Sequence, residues 1–460
     1  MDHWQQTFYE LKRIIPSARI SEKNSDLQNH SKDKSFHPPH LPEIVIWPIT
    51  TKEVSSILKI ANTAKISVTA WGGGSSLEGN PIPTNGGIIL DMTKMNKILK
   101  VYKNDLQIAV QPGILGEELD KKLKKYRLWF AAAPGSKHIA TIGGMIANNA
   151  GGMHAVKYGV VGESVLKLTV VLANGDIMQV GSRSFKSVSG YDLKHLVIGS
   201  EGTLGIITEA VLKLNPIPEA KIACLISCSS SQQAAEINLE ILQTNNKPAS
   251  IEFMDREYIT LVNKATNAKL PENPTLLLEF HGDKKIMQQQ LKQILILCKN
   301  KNSIKISTFT TKKQLTLLWK YRRAVRPIVS TLLPNTGILS AEVGLPISQI
   351  GTFLEKTKQL SKKYDIKTVM FGHMGDGNFH GWALYTLGDK KSWEKVSKLN
   401  NELIVLAIKL GGTTTGEHGI GIGKRKFLEL EHASSLRYMK QIKKMFDPNN
   451  ILNPGKIFLP

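Results

Sequence analysis

Apolar residues return along this chain at two different periods, and the stretches over which each period holds set out the elements. In TKEVSSILKIANTAKI (51–66) they recur at helical spacing, SVTAW (67–71) is strand-like, and GGGSSLEGN (72–80) is a glycine-rich loop. Strand, loop and helix therefore alternate early in the chain. ILKVYKNDLQIAVQPG reads as a hairpin turning at Asn104 and Asp105, and SVLKLTVVLANGDIMQVG as another turning at Asn174 and Gly175. Near the N-terminus Phe8, Leu11 and Ile15 share one helical face, which predicts a short amphipathic helix; the prolines of FHPPHLPE end that region.

This pattern divides the chain. Residues 1–40 form an N-terminal segment, and a mixed α+β domain follows over 41–218, closed by the prolines of NPIPEAK. Over 219–411 the strands SIEFMD and TLLLEFHG interleave with the helical stretches SQQAAEINLEILQ, KIMQQQLKQILILCKN and TKKQLTLLWKYRRAV, predicting an antiparallel sheet covered by helices. Residues 412–460 are again rich in glycine and turn residues and are expected to leave the second domain and return to the interface with the first. No internal repeat or low-complexity segment interrupts this plan.

Bulk properties narrow the function. A chain of 460 residues is long enough for two or three domains. Its longest apolar runs, such as VLKLTVVLA, are shorter than the roughly 18 residues of a membrane span. Three cysteines, Cys224, Cys228 and Cys298, are too few and too odd for a disulfide framework or an iron–sulfur cluster, and point to a reducing, cytoplasmic setting. The net charge of +22 comes from scattered basic residues without a recognition-helix, zinc-finger or RNA-binding signature, so a sequence-specific nucleic-acid partner is not expected. Weak peripheral attachment to an anionic membrane face is compatible with that charge.

The chemistry concentrates in glycine-rich stretches. AWGGGSSLEG and PGSKHIATIGGMIANNAGG both set glycines where backbone N–H groups can face an anion, and two such cradles about sixty residues apart suit a dinucleotide. Neither matches the nicotinamide fingerprint or a P-loop. A third stretch, GYDLKHLVIGSEGTLGIITEAVLKL, couples a helix to a glycine turn and a long strand. Further on, GHMGDGNFH carries His373, Asp376, Asn378 and His380, and GEHGIG carries Glu417 and His418. Two histidines and a glutamate form an ordinary ligand set for zinc or manganese that leaves positions open for a substrate.

Together, WGGGSSLEG, TIGGMIANNAGG and GSEGTLGIITEAVLKL resemble the vanillyl-alcohol-oxidase type of FAD-binding domain, and GHMGDGNFH with GEHGIG resembles its D-lactate dehydrogenase and glycolate oxidase branch. All five motifs occur in the family's order over residues 40–457. The resemblance implies an α+β fold with a two-subdomain FAD-binding domain and a substrate-binding cap. It further implies a pyrophosphate clasped by the first two loops, with Gly72, Gly73, Gly74, Ser75, Ser76 and Gly79 in one and Pro134, Thr141, Gly143, Gly144, Asn148, Gly151 and Gly152 in the other. Gly202, Gly205 and Ile206 of the third stretch would pass the adenine and the flavin edge. Serines stand where some members carry a histidine that bonds the flavin, so noncovalent FAD is expected.

By the same resemblance His373, His380 and Glu417 bind a divalent metal. Oxidation of a 2-hydroxy acid removes a hydroxyl proton and sends the C2 hydride to flavin N5, and a bound cation makes that hydroxyl acidic. His418 is the candidate base, because an unperturbed imidazole titrates near pH 6.5; it shares a site with Glu417 only if the glycine-flanked turn breaks strand alternation. Arg322 matches the family's substrate arginine, Arg326 is expected on the same helical face four residues on, and Asn378 stands with them as a substrate contact. Lys424 matches a family lysine whose role lies between substrate and flavin.

Members acting on hydroxyglutarate carry an asparagine two positions after the second histidine. Here that position is Trp382, which favours D-lactate or glycolate. The alternatives are a D-2-hydroxyglutarate dehydrogenase and the non-redox alkylglycerone-phosphate-synthase branch, which has a run of histidines where this chain has GEHG. A binding protein that has kept the fold without activity would require lesions in the catalytic clusters, and none is seen. The electron acceptor stays open between a quinone, an electron-transfer flavoprotein, a cytochrome and an iron–sulfur protein; one sequence does not define the oligomeric state.

Overall fold

The structure is a computed structural model and describes residues 3–459 apart from residue 302. The chain forms two compact units: the first gathers residues 1–152, 159–217 and 417–460, the second residues 153–158 and 218–416. The N-terminal segment therefore joins the first unit rather than standing apart, and the chain passes back to that unit between Gly416 and Glu417. Among the described residues no helix is long and apolar enough to cross a membrane.

In the first unit a small sheet comprises β1 (Ile20–Ser21), β2 (Ile44–Ile46), β3 (Val68–Trp71) and β4 (Ile88–Asp91), ordered β1-β2-β4-β3 with the last three parallel. The helix Thr51–Thr63 connects β2 to β3. It starts where the Thr50 hydroxyl accepts from the Glu53 N–H, and it buries Val54, Ile57, Leu58 and Ala61. The predicted N-terminal helix runs His3–Ile14 and brings Leu11, with Ile15 just beyond it, into the same core. Ile451 and Leu452, from the C-terminal stretch, complete that core, and the Val68 N–H donates to the Ile451 carbonyl.

A second, antiparallel sheet follows, with β5 (Ile98–Tyr102), β6 (Gln107–Val110), β7 (Leu128–Trp129), β8 (Val165–Val171), β9 (Ile177–Gly181), β10 (Ile206–Lys213) and β11 (Asn215–Pro216). Five of these pair in the order β5-β6-β10-β8-β9, and β7 pairs separately with β11. Both hairpins turn where predicted: Lys103–Asp105 joins β5 to β6, and Gly175, at φ +83°, lies between β8 and β9.

The second unit is built on one seven-stranded antiparallel sheet. Its strands are β12 (Ala220–Ser227), β13 (Ser250–Met254), β14 (Thr275–Gly282), β15 (Lys305–Phe309), β16 (Thr336–Gly344), β17 (Thr368–His373) and β18 (Asn378–Thr386), in the order β15-β12-β14-β13-β17-β18-β16. The expected helices Ser231–Gln243, Lys284–Asn300 and Lys312–Arg323 are present, joined by Arg256–Thr266, Ile350–Tyr364 and Lys390–Lys409. The three cysteines are buried as free thiols.

One element departs from expectation. The stretch 311–325 does not continue through Arg326 on one helix: Lys312–Arg323 ends at Ala324 and a new helix, Val325–Leu332, begins. Pro327 explains the break, since its ring lacks an N–H and would collide with the carbonyl four residues back in a continuous helix. Arg322 and Arg326 therefore share no helical face. Arg322 is buried, whereas Arg326 is exposed with its guanidinium 5.8 Å from the Trp382 ring.

Candidate active site

In the second unit, β17 and β18 form a hairpin whose turn, 374–377, ends at Gly377 with φ +84°. A Cβ at Gly377 would fall 2.1 Å from the Leu345 carbonyl oxygen, so this turn requires glycine. The register pairs His373 with Asn378 and Phe371 with His380. Residues opposite one another, and those two apart on a strand, share a sheet face. The seven-residue spacing thus makes the two histidines diagonal neighbours, with ring centroids 5.4 Å apart and planes nearly perpendicular.

The flanking strands bring two carboxylates to the same face. Glu252 on β13 pairs with His373, and Glu342 on β16 pairs with His380; both are fully buried. Glu252 Oε1 lies 2.7 Å from His373 Nδ1 and Oε2 lies 2.6 Å from Arg322 Nη2. Burial alone would raise the Glu252 carboxyl, but Arg322 and His373 outweigh it and hold it below the usual carboxylate range. An ionised carboxylate only accepts, so His373 donates from Nδ1 and turns the lone pair of Nε2 outward, which is how an oriented metal-ligating imidazole is held. Glu342 accepts from Thr415 Oγ1 at 2.7 Å and from the Gly416 N–H at 2.6 Å, tying down the residues that lead directly into Glu417.

Among the polar atoms buried on this face without a hydrogen-bond partner among the described residues are Asn378 Oδ1 and Arg322 Nε. Buried polar groups ordinarily find partners, so such orphans mark where a ligand would bind. The Arg322 guanidinium also sits 5.0 Å from the Phe371 ring, and Trp382 packs edge-on against Phe371 at 4.9 Å. Trp382 follows His380 by two residues and so forms an apolar wall on the same sheet face.

The first unit carries the glycine loops. Gly72 to Ser76 leave the end of β3, and among the described residues the N–H groups of Gly73, Gly74 and Ser75 donate to no protein acceptor. A Cβ on Gly73 would lie 1.8 Å from the Ile139 carbonyl oxygen, so the first two loops touch through that glycine. The second loop behaves differently: the N–H groups of Ile142, Gly143 and Gly144 are taken by Ile114, Pro112 and the Thr141 hydroxyl. Its glycines serve close packing, Gly143 against Pro112 and Gly152 against Pro134, while Gly151 keeps more room.

The third loop supplies a hub that sequence reasoning missed. Glu201, left-handed at φ +53°, is followed by Gly202 at +73°, and its carboxylate accepts from the N–H groups of Ile420 and Gly421 at 2.6 and 2.8 Å and from Asn80 Nδ2 at 2.6 Å. Asn453 Nδ2 then donates to the Asn80 and Glu201 carbonyls. One buried carboxylate thereby links the first loop, the third loop and the GEHGIG turn. Gly205 packs against Val170, and Ile206 begins β10.

Asn148 Nδ2 donates to the His418 carbonyl, and Gly419 adopts φ +80° where a Cβ would strike Asn80 and Glu201. That turn breaks strand alternation: His418 Nε2 lies 3.6 Å from Glu417 Oε1, so neighbouring side chains point the same way. Lys424 is almost fully buried with its ammonium 3.5 Å from Glu78.

Comparison with known proteins agrees with this architecture. Residues 42–181 match the model of an FAD binding domain, and residues 217–457 match that of the FAD linked oxidases, C-terminal domain. The chain belongs to the FAD-linked oxidases. It is 35% identical over 452 residues to the glycolate oxidase subunit GlcD of Bacillus subtilis (strain 168), covering 98% of this chain and 96% of that protein. It is 33% identical over 453 residues to a mitochondrial D-lactate dehydrogenase [cytochrome] of Arabidopsis thaliana, covering 98% and 80%. In fold it resembles p-cresol methylhydroxylase with substrate bound, at TM-score 0.80 and 18% identity over 99% of this chain and 97% of that one. An alkyldihydroxyacetonephosphate synthase superposes at TM-score 0.78 with 21% identity over 98% and 85%. As an FAD-linked oxidase the protein is an FAD-linked oxidoreductase, and the open amides of Gly73, Gly74 and Ser75 fit the demand of a pyrophosphate for backbone donors.

Proposed function

We propose that this FAD-linked oxidase oxidises a small D-2-hydroxy acid, D-lactate or glycolate, to the 2-oxo acid, with noncovalent FAD and a divalent cation, zinc or manganese, held by His373, His380 and Glu417. The observation that carries the reading is the single sheet face on which His373, His380, Asn378 and Arg322 converge around the buried Glu252. When bound, the flavin supplies a hydride acceptor and the cation supplies positive charge beside the substrate hydroxyl, comparable to the lowering of the pKa of water from about 15.7 to about 7 on zinc.

The chain's own residues do the rest. Arg322 binds the substrate carboxylate through the donors that Glu252 leaves free, and the buried Asn378 Oδ1 accepts from the substrate. Glu252 orients His373 and balances Arg322. His418 removes the hydroxyl proton at an imidazole nitrogen, beside Glu417, which stabilises the imidazolium that results. Trp382 places an apolar wall where a second substrate carboxylate would need a donor, which separates this reading from hydroxyglutarate oxidation. The relatives named glycolate oxidase and D-lactate dehydrogenase support the same substrate class. A panel of D- and L-2-hydroxy acids with an artificial electron acceptor tests it: turnover with D-lactate or glycolate and none with L-lactate is expected, whereas preference for D-2-hydroxyglutarate would reassign the substrate.

A further inference from the structure

A second cluster with metal-ligand chemistry lies elsewhere in the second unit, and nothing in the reaction proposed above uses it. His154, Glu279 and His281 each present a ligand atom, and the three atoms lie within 4.8 Å of one another. Glu279 and His281 are two apart on β14 and so share a sheet face, while His154 immediately precedes the helical turn Ala155–Tyr158. His281 Nε2 is 2.5 Å and His154 Nε2 is 3.5 Å from the same oxygen, Glu279 Oε1.

The outer contacts are those of an oriented ligand set. Trp319 Nε1 donates to Glu279 Oε2 at 2.5 Å, occupying that oxygen and directing Oε1 toward the histidines. Tyr158 Oη stands 2.9 Å from His281 Nδ1, so once a cation displaces the proton that Nε2 shares with Glu279, Nδ1–H donates to the phenol and Nε2 offers its lone pair. The carboxylate and His281 are almost fully buried, and His154 is mostly so. One cation is already nearby: Lys221, opposite His281 on β12, has its ammonium 3.3 Å from Glu279 Oε1, with a side chain 37% exposed.

We propose that His154, Glu279 and His281 form a divalent-cation site, distinct from the one at His373 and His380, in which a zinc-type ion replaces the Lys221 ammonium and fastens residues 153–158 to β14. Ligand distances of about 2.0 to 2.2 Å in a tetrahedral shell require about 3.3 to 3.6 Å between ligand atoms, so the separation of His154 from Glu279 already suits one ion and His281 must draw back from Glu279 by about 1 Å.

The test uses the full-length flavoprotein carrying His373→Ala and His380→Ala, so that the other centre contributes nothing, stripped with a chelator and titrated with zinc under calorimetry. One equivalent of zinc is expected to bind. Adding His154→Gln should weaken that binding at least tenfold, Tyr158→Phe should weaken it by about 10 to 100-fold, and Lys221→Met should tighten it at least tenfold by removing the competing ammonium. Cobalt in place of zinc reports the donors by its visible absorption. The proposal is overturned if the background protein with Lys221→Met takes up no zinc, or if zinc binds with unchanged affinity after His154→Gln. Loss of hydroxy-acid oxidation would not bear on it.

Discussion

Replacing Glu252 by glutamine changes one atom and should unsettle two neighbours. The wild-type carboxylate is fully buried, 2.6 Å from Arg322 and 2.7 Å from His373. Glutamine keeps the shape but leaves the buried guanidinium without its counter-charge. Breaking one side of a buried pair costs about 3–5 kcal/mol. In a unit of about two hundred residues each kcal/mol moves the melting temperature by about 2–4 °C, so a fall of about 6–20 °C is expected in thermal unfolding followed by circular dichroism. The paired variant Glu252→Gln/Arg322→Met should lose much less than the sum of the single losses. The pH dependence has a defined sign. Because the folded Glu252 carboxyl lies below its ordinary value, its stabilisation is full above the unfolded carboxylate pKa of about 4.3 and fades as pH falls through the lower folded value. The gap between wild type and variant should therefore be widest at neutral pH and close in acid. A variant melting within about 2 °C of wild type at pH 7 would refute the reasoning.

Other consequences follow from single contacts. Lys456 is buried, its ammonium donating to the Ile82 carbonyl at 2.7 Å, and burial pushes its pKa down to about 7. The unfolded chain then binds the extra proton between about pH 7 and 10.4, so stability should climb as pH rises from 7 to 9, and Lys456→Met should flatten that climb in denaturant titrations. Gly73→Ala sets a methyl 1.8 Å from the Ile139 carbonyl oxygen, whereas Gly144→Ala meets only the Thr141 hydroxyl at 3.3 Å; flavin absorbance per protein should collapse in the first and largely survive in the second. Arg322→Lys keeps the charge toward Glu252 but loses the planar fork, and should raise the KM for the hydroxy acid at least tenfold in steady-state assays.

What the sequence revealed and what it concealed have physical causes. Hairpins and helices were legible because their period is local, and the two histidines were legible because a glycine turn of fixed length folds a seven-residue spacing into a diagonal pair. Glu252 was not, since it precedes His373 by 121 residues and meets it through strand pairing that no local pattern encodes; its only signal was one charge in a mostly apolar strand. Glu201 was hidden similarly, as its partners Asn80 and Gly421 come from distant loops. The helix break before Arg326 was visible in Pro327, but the spacing of four between the arginines suggested a continuous helix.

The most direct check on the central claim is flavin reduction followed at its yellow absorbance band after anaerobic mixing with D-lactate. The account predicts rapid, complete bleaching of the native protein and a rate at least a thousandfold lower, on the order of 4 kcal/mol of lost transition-state stabilisation, once His373 and His380 are both alanine. Bleaching at the native rate by that variant, or none in the native protein with either D-lactate or glycolate, would contradict it.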